Sequence, residues 1–187
     1  MTPSRILVDS NAYFRLARSI HPLLNLAFGD KQYCLYVIKE LQAEYNRNPR
    51  LISAFSWVND QKYVENRSHW LQITKEEKQE IRRSYDFILD YARNVYPGVS
   101  NVDVLLLAHA EQLHIPVATD DEEMRIVASD YGIATYKTLE LLKLMLDCHY
   151  IGIEKIREIA GDWTYLNDMP KDFKTDYKKL FGEVPPK

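Results

Sequence analysis

Three acidic residues occupy positions that neither packing nor solvation explains well. Asp103 begins an apolar helical run, and Asp120 and Asp121 follow the short apolar stretch at residues 117–119. Carboxylates at the ends of buried elements do not belong to the core, and an exposed surface does not require them there. Carboxylate oxygens are the ligands that a hard divalent cation prefers. The stretch therefore predicts part of a metal site, with further ligands elsewhere in the chain.

Asp9 is a fourth candidate ligand, because it follows the apolar run at residues 5–8 directly. Such a run with a turn after it is typical of a strand buried on both faces. Asp9 would then stand at the carboxyl end of a parallel strand, where open sheets bind ligands. Asp9 and Asn11 could equally be helix caps and nothing more.

Glu40 lies in the first turn of a helix predicted to follow a second strand at residues 33–37. If the two strands are neighbours, Glu40 comes within reach of Asp9. A glutamate in the first turn is also favoured by the helix dipole and can simply face solvent. The local sequence alone favours the solvated position, so a role at the metal site depends on the other acids.

Basic residues that could bind phosphate lie on two predicted helices. Arg15 and Arg18 follow Asp9 on the first helix, and Lys75 and Arg82 lie on a long amphipathic helix beginning near residue 75. Charged helix faces commonly contact only water. Contact with a nucleic acid is therefore a prediction for all four side chains.

Composition excludes several classes of function. The 187 residues suit one domain with a good core, and the net charge of −3 opposes bulk attraction to nucleic acid. No apolar run reaches the ~20 residues of a membrane helix, and the two distant cysteines favour a reduced, cytoplasmic location. Scattered glycines argue against a phosphate-binding loop, and the five histidines lack zinc-site spacing.

Strands that alternate with helices predict an α/β fold, in which a small parallel sheet lies between two layers of helices. The strand ends at Asp9 and at residues 119–121 then face one edge, with the start of the Asp103 helix beside them. Close carboxylates resist simultaneous ionisation unless a cation offsets their charge. Mg²⁺ or Mn²⁺ would relieve this repulsion.

The chain resembles PIN-domain ribonucleases, a group that includes the toxins of many bacterial toxin–antitoxin pairs. The resemblance rests on ILVDSN at residues 6–11, VIKEL at 37–41, the stretch at 102–124 and the Gly-Ile step at 132–133. It covers roughly residues 5–160, and the stretch at 102–124 is its most specific part.

The resemblance implies a site and a reaction. Its catalytic acids would be Asp9, Glu40, Asp103 and Asp121, of which Asp9, Asp103 and Asp121 would hold Mg²⁺ or Mn²⁺. Asn11, Thr119 and Asp120 would be supporting residues, with Asp120 a second candidate for the role of Asp121. The implied reaction is hydrolysis of RNA phosphodiester bonds, with Arg15, Arg18, Lys75 and Arg82 as candidate substrate-binding residues.

The resemblance also implies a domain organisation and partners. A PIN-like domain would span residues 1–160, with a helical insertion at about 50–98 and a docked or partner-binding tail at 161–187. Expected partners are RNA, an antitoxin or other inhibitory protein, and a second copy of the chain in a homodimer.

Three alternatives remain open at this level. A related structure-specific nuclease would act on DNA, although the helical DNA-gripping motif of such enzymes is not found in the sequence. A PIN-like module could bind RNA or protein without turnover. A phosphatase or phosphoacceptor domain would also place an acid after the first strand, and Lys137 could supply the late lysine that such domains use.

Overall fold

The sheet is small and entirely parallel. The computed structural model describes residues 4–186. Its strands are β1 (Ser4–Val8), β2 (Tyr33–Tyr36), β3 (Val117–Ala118) and β4 (Thr135–Tyr136), in the order β2-β1-β3-β4. Leu7 of β1 lies opposite Tyr36 on one side and Val117 on the other. All four carboxyl ends therefore meet at one edge, as the sequence predicted.

Ten α-helices lie within residues 4–186, and they account for most of the chain. They are α1 (Ser10–Ala17), α2 (Glu40–Arg47), α3 (Pro49–Ala54), α4 (Gln61–Arg67), α5 (Lys75–Val95), α6 (Asn101–Leu113), α7 (Glu122–Asp130), α8 (Thr138–Asp147), α9 (Ile153–Leu166) and α10 (Phe173–Phe181). A short 3₁₀ helix, Ser56–Asn59, joins α3 to α4.

The two faces of the sheet bury two separate cores. Side chains alternate along a strand, so Ile6 and Val8 enter one core and Leu7 enters the other. Helices α1, α2, α8, α9 and α10 contribute to the first core, and α5, α6 and α7 to the second. The three-layer α/β arrangement predicted from the sequence is thus confirmed.

The region at residues 49–95 is helical and divides between the two layers. In its first half, the buried Arg67 of α4 donates hydrogen bonds to the Tyr13 hydroxyl of α1 (2.9 Å) and to Gln42 Oε1 of α2 (2.6 Å). In its second half, Ile81 and Ile88 of α5 pack in the second core with α6. This region, which was predicted to be an insertion, therefore packs against both layers.

The C-terminal segment forms part of the first core. Helix α9 continues to Leu166, past the boundary expected at residue 160, and α10 follows. Trp163, Phe173 and Tyr177 are buried there, so the described residues of the tail are docked on the domain. None of the helices in residues 4–186 is both long and apolar enough to cross a membrane.

Candidate functional site

A buried hydrogen-bonded link joins the ends of β1 and β3. Asp9, which is 4% exposed, caps α1 by accepting a hydrogen bond from the Ala12 backbone N–H on Oδ1 (2.6 Å). Its Oδ2 accepts a hydrogen bond from the fully buried Thr119 hydroxyl. Thr119 Oγ1 in turn accepts from the Asp121 backbone N–H (3.1 Å). The link fixes Asp9 beside the turn that carries Asp121.

The charge on Asp9 is poorly compensated. The pKa of Asp9 is raised from 3.8 to about 7, mainly by burial and to a smaller extent by the negative charges of Asp103 and Asp120. The hydrogen bonds from Thr119 and Ala12 act in the opposite direction but do not overcome burial. The edge of the sheet thus holds an acid that ionises only near neutral pH.

Asp103 belongs to the capping box at the start of α6. Its backbone N–H donates to Ser100 Oγ (3.1 Å), and its Oδ2 accepts from the Ser100 backbone N–H (3.0 Å). Burial raises the pKa of Asp103 despite these hydrogen bonds, and the charge of Asp121 adds to the rise. The start of α6 therefore lies beside the start of α7.

Asp121 is the N-cap of α7 and is exposed to solvent. Its Oδ1 accepts a hydrogen bond from the Met124 backbone N–H (2.7 Å). Asp9 and Asp121 are the N-caps of α1 and α7, and Asp103 is the third residue of α6 in the Ser100 capping box. The capping role considered from the sequence is therefore real for Asp9 but wrong for Asn11, which lies inside α1. It does not explain why three helices begin at one place with acids close enough to affect one another.

The structure brings Glu44, rather than Glu40, into this group. Glu40 is the first residue of α2 and is exposed. Glu44, one turn later, accepts a hydrogen bond on Oε2 from the Ser10 hydroxyl (2.6 Å). Burial raises the pKa of Glu44, the Ser10 hydrogen bond lowers it, and the charge of Asp103 raises it. We call Asp9, Glu44, Asp103 and Asp121 the acid group.

Asp120 serves a different purpose from Asp121. Its Oδ2 pairs with the Arg15 guanidinium (2.9 Å) and accepts from the Thr138 hydroxyl, while its Oδ1 accepts from the Thr138 backbone N–H (2.9 Å). Arg15 also pairs with Asp168 (3.1 Å). We call Arg15, Asp120, Thr138 and Asp168 the Arg15 node. Because two acids hold Arg15, a substrate phosphate would have to displace one of them.

The other residues expected to support the site or bind substrate lie on the surface. Asn11, Arg18, Lys75 and Arg82 are exposed, and in residues 4–186 the three basic side chains form no ion pair. Lys75 and Arg82 lie on α5, which packs on the opposite face of the sheet from α1. Lys137 pairs with Asp176 of α10 (2.6 Å), so it is held away from the role a phosphoacceptor domain would need.

The acid group has the oxygen ligands that a divalent cation prefers, but its side chains are not arranged to hold one in this structure. All its donors are carboxylate oxygens, which Mg²⁺ and Mn²⁺ prefer. Within the described chain, however, no three Asp, Glu, His or Cys side chains stand close enough to hold a metal ion.

Three oxygens of the group remain without a hydrogen bond to the described residues. They are Glu44 Oε1, Asp103 Oδ1 and Asp121 Oδ2, because only the other oxygen of each carboxylate accepts one. Both oxygens of Asp9 are engaged. These three oxygens are the ones that a cation could bind, although in this structure they do not stand close enough together to hold one ion.

Comparison with known proteins identifies no family. No family model matches the chain, and no curated protein matches it. A solved structure titled FitAcB from Neisseria gonorrhoeae is similar over 72% of this chain and 98% of that chain, at 18% identity and a TM-score of 0.44. A similarity this low supports no inference about activity, so function must be argued from the site.

Proposed function

We propose that the protein is a ribonuclease that hydrolyses RNA phosphodiester bonds with the help of Mg²⁺ or Mn²⁺. The observation that supports it best is the acid group, in which four carboxylates from separate segments meet at the carboxyl edge of a parallel sheet. In residues 4–186, none of the ion pairs involves any of the four. The PIN-domain resemblance of the sequence is the second support.

The four acids would have different roles. Glu44, Asp103 and Asp121 would bind the cation through their free oxygens. Asp9, whose two oxygens are hydrogen-bonded, would attract the cation by its negative charge. The bound cation would lower the pKa of a water molecule and stabilise charge on the phosphate. Ser10 would hold Glu44 in place, and Thr119 would fix the orientation of the Asp9 carboxylate.

The proposal requires small rearrangements at the helix starts. Asp103 and Asp121 would have to turn their free oxygens inward while keeping or exchanging their caps with Ser100 and Met124. The loss of a cap costs ~1 kcal/mol, which is small beside the electrostatic gain of placing a divalent cation among four carboxylates. The same gain would favour the ionised form of Asp9.

A cleavage assay with a conservative variant tests the proposal. Purified protein is incubated with a mixed RNA pool in the presence of Mn²⁺, Mg²⁺ or a chelator. Asp103→Asn is the variant of choice because an amide oxygen can still accept the hydrogen bond from Ser100. We expect cleavage only with the metal and only in the unmodified protein. Metal-independent cleavage, or full activity in Asp103→Asn, would refute it.

A second function is favoured by one observation. Because no three side chains in residues 4–186 are arranged to hold a metal ion, the chain could be a PIN-like module that binds RNA or protein without turnover. RNA binding that persists in the chelator, together with no cleavage under any metal, would select this function. A metal-dependent rise in Tm that Asp103→Asn abolishes would count against it.

An inhibitory protein partner, such as an antitoxin, belongs to the ribonuclease proposal through the sequence resemblance. Such a partner would place a basic side chain among the four acids and so offset their charge. A small protein encoded beside this gene is the natural candidate to assay. It should inhibit cleavage and bind Asp103→Asn more weakly than the unmodified chain.

A further inference from the structure

A groove of about 1000 Å³ lies between α10, the end of α9 and the residues that follow α10. Its apolar lining comes from Phe173, Val184, Pro185 and Pro186. The chain after α10 is held against α9, because Glu183 accepts two hydrogen bonds from the Arg157 guanidinium of α9 (2.9 and 2.7 Å). The groove is therefore formed by packed elements, and its volume is that of a site for a ligand of substantial size.

Three lysines line the same groove, and their charge is not compensated by the described residues. Lys174, Lys178 and Lys179 are exposed on α10, and within residues 4–186 none of them forms an ion pair. Two acids close to them in sequence have other partners, since Asp176 pairs with Lys137 and Glu183 with Arg157. None of the described acids lines the groove. The groove is thus locally positive in a chain whose net charge is −3.

A ligand that suits this groove has several negative charges and apolar surface between them. Lys174 and Lys178 lie one helical turn apart, about 6 Å along the axis, so they present two cations to successive anionic groups. A small inorganic anion would leave the apolar lining unused. A single strand of nucleic acid has both features, and proteins that bind such strands combine a positive groove with side chains that contact the faces of the nucleobases.

We propose that this groove binds a single strand of RNA outside the acid group. Lys174, Lys178 and Lys179 contact its phosphates, and the apolar lining contacts the faces of its nucleobases. The choice of RNA rests on the proposed function, whereas the charge and the apolar lining are independent of it. The groove belongs to residues 161–187, beyond the part of the chain that resembles PIN domains, so the resemblance implies nothing about it.

The first half of α10 lies beside the carboxyl edge of the sheet. Lys171, just before this helix, pairs with Glu122 of α7, and Asp176 pairs with Lys137, just before α8 (2.6 Å). Glu122 directly follows Asp121 of the acid group. A strand that leaves the groove at this end of α10 would therefore reach the acid group. Because the groove holds RNA away from the reacting phosphate, its loss should weaken binding and leave the cleavage rate of bound RNA unchanged.

Fluorescence anisotropy tests the proposal, with the full chain, a chelator and a labelled single-stranded RNA of about 12 nucleotides. The double variant Lys174→Gln with Lys178→Gln should bind roughly twenty-fold more weakly at about 0.1 M salt, and the slope of log K against log salt should fall by about 1.4. Lys75→Gln with Lys78→Gln is the matched control, because it removes the same charge from exposed lysines of α5. Circular dichroism should show both variants folded. No RNA binding by the unmodified protein, or a loss in the control as large as in the groove variant, would overturn the proposal.

A strand without nucleobases tests the apolar part of the groove. An abasic oligonucleotide of the same length and charge should bind the unmodified protein roughly ten-fold more weakly than the RNA. Equal binding would show a charged surface only and overturn the proposal, as would tighter binding of an acidic, leucine-containing peptide, which would indicate a protein partner. Cleavage with Mn²⁺ is measured separately. RNA binding that depends on Lys174 and Lys178 supports the groove even if no cleavage occurs, so this proposal and the ribonuclease proposal fail independently.

Discussion

The acid group and the Arg15 node are neighbours at the same edge of the sheet, and they treat negative charge in opposite ways. Asp120 is satisfied by a guanidinium and by both polar groups of Thr138. Asp9, whose pKa the charge of Asp120 raises, accepts two hydrogen bonds but forms no ion pair with a basic side chain of residues 4–186. The first arrangement is what a fold needs in order to bury an acid. The second costs free energy and is typical of functional sites.

The largest effect on RNA cleavage should come from substituting Glu44, which the structure but not the sequence distinguishes from Glu40. Glu44→Gln removes one charge from the acid group while its amide oxygen still accepts from Ser10, so RNA cleavage should fall by roughly 10³-fold with little loss of stability. Glu40→Gln is the matched control, one turn away and exposed. Cleavage rates from single-turnover assays distinguish them. If Glu40→Gln reduces cleavage more than Glu44→Gln does, Glu40 is the catalytic acid, as the sequence predicted.

Neighbouring acids provide the next test, in stability. Asp120→Ala removes three partners from largely buried groups and leaves Arg15 with Asp168 alone, so the free energy of unfolding should fall by about 3 kcal/mol. Asp121→Ala removes one N-cap and should cost about 1 kcal/mol. Urea titration of both variants measures the difference. Equal losses of unfolding free energy would mean that Asp120 contributes no more to stability than Asp121 does.

Asp9 should show its unpaired charge in the pH dependence of folding. Because the folded pKa is raised from 3.8 to about 7, the folded state holds the proton more tightly, and stability falls as the pH rises from about 4 to about 7. Asp9→Asn, which can still cap α1, should be more stable than the unmodified protein above pH 7. The limit is about 4 kcal/mol at ~1.4 kcal/mol per pKa unit, and relaxation should reduce it to about 2.

This measurement needs a chelator, since a bound cation would favour the ionised form and reverse the effect. Urea titrations at pH 5 and pH 8 are sufficient, with Asn11→Ala as an exposed control next to the same strand end. If Asp9→Asn is no more stable at pH 8 than at pH 5, relative to the unmodified protein, the Asp9 charge is compensated after all.

The smallest effect should come from ion pairs outside both regions. Lys137 and Asp176 are partly buried, with side chains 27% and 21% exposed, so Lys137→Met should cost about 1 kcal/mol. Lys171 pairs with Glu122 on the open surface, and Lys171→Met should cost close to nothing. Neither variant should change RNA cleavage. Loss of activity in Lys137→Met would revive the phosphoacceptor alternative.

Much of the fold was accessible from the sequence because its signals are local. The apolar run of α6 and the acids after β3 occur within a short stretch, and the structure has both of them where they were expected. The same holds for β1 and Asp9. Parallel strands then place these pieces at one edge by a general rule.

The roles of particular acids depend on distant partners and could not be predicted. Glu40 and Glu44 are one turn apart on one helix, and only contact with Ser10, 34 residues away, distinguishes them. Asp120 and Asp121 are adjacent, and the contact between Asp120 and Arg15 spans 105 residues. The signal for α10 was equally weak, since its buried Phe173 and Tyr177 are surrounded by lysines and aspartates.

The pairing of Arg15 with both Asp120 and Asp168 affects the order in which a nascent chain can fold. Asp168 leaves the ribosome 153 residues after Arg15, and Trp163, whose indole N–H donates to the Arg15 carbonyl oxygen (3.2 Å), leaves shortly before it. Domains begin to fold while synthesis continues, yet Arg15 lacks one of its two acids until α9 has emerged. A nascent chain that already contains all four residues of the acid group therefore still lacks the Arg15–Asp168 ion pair next to them.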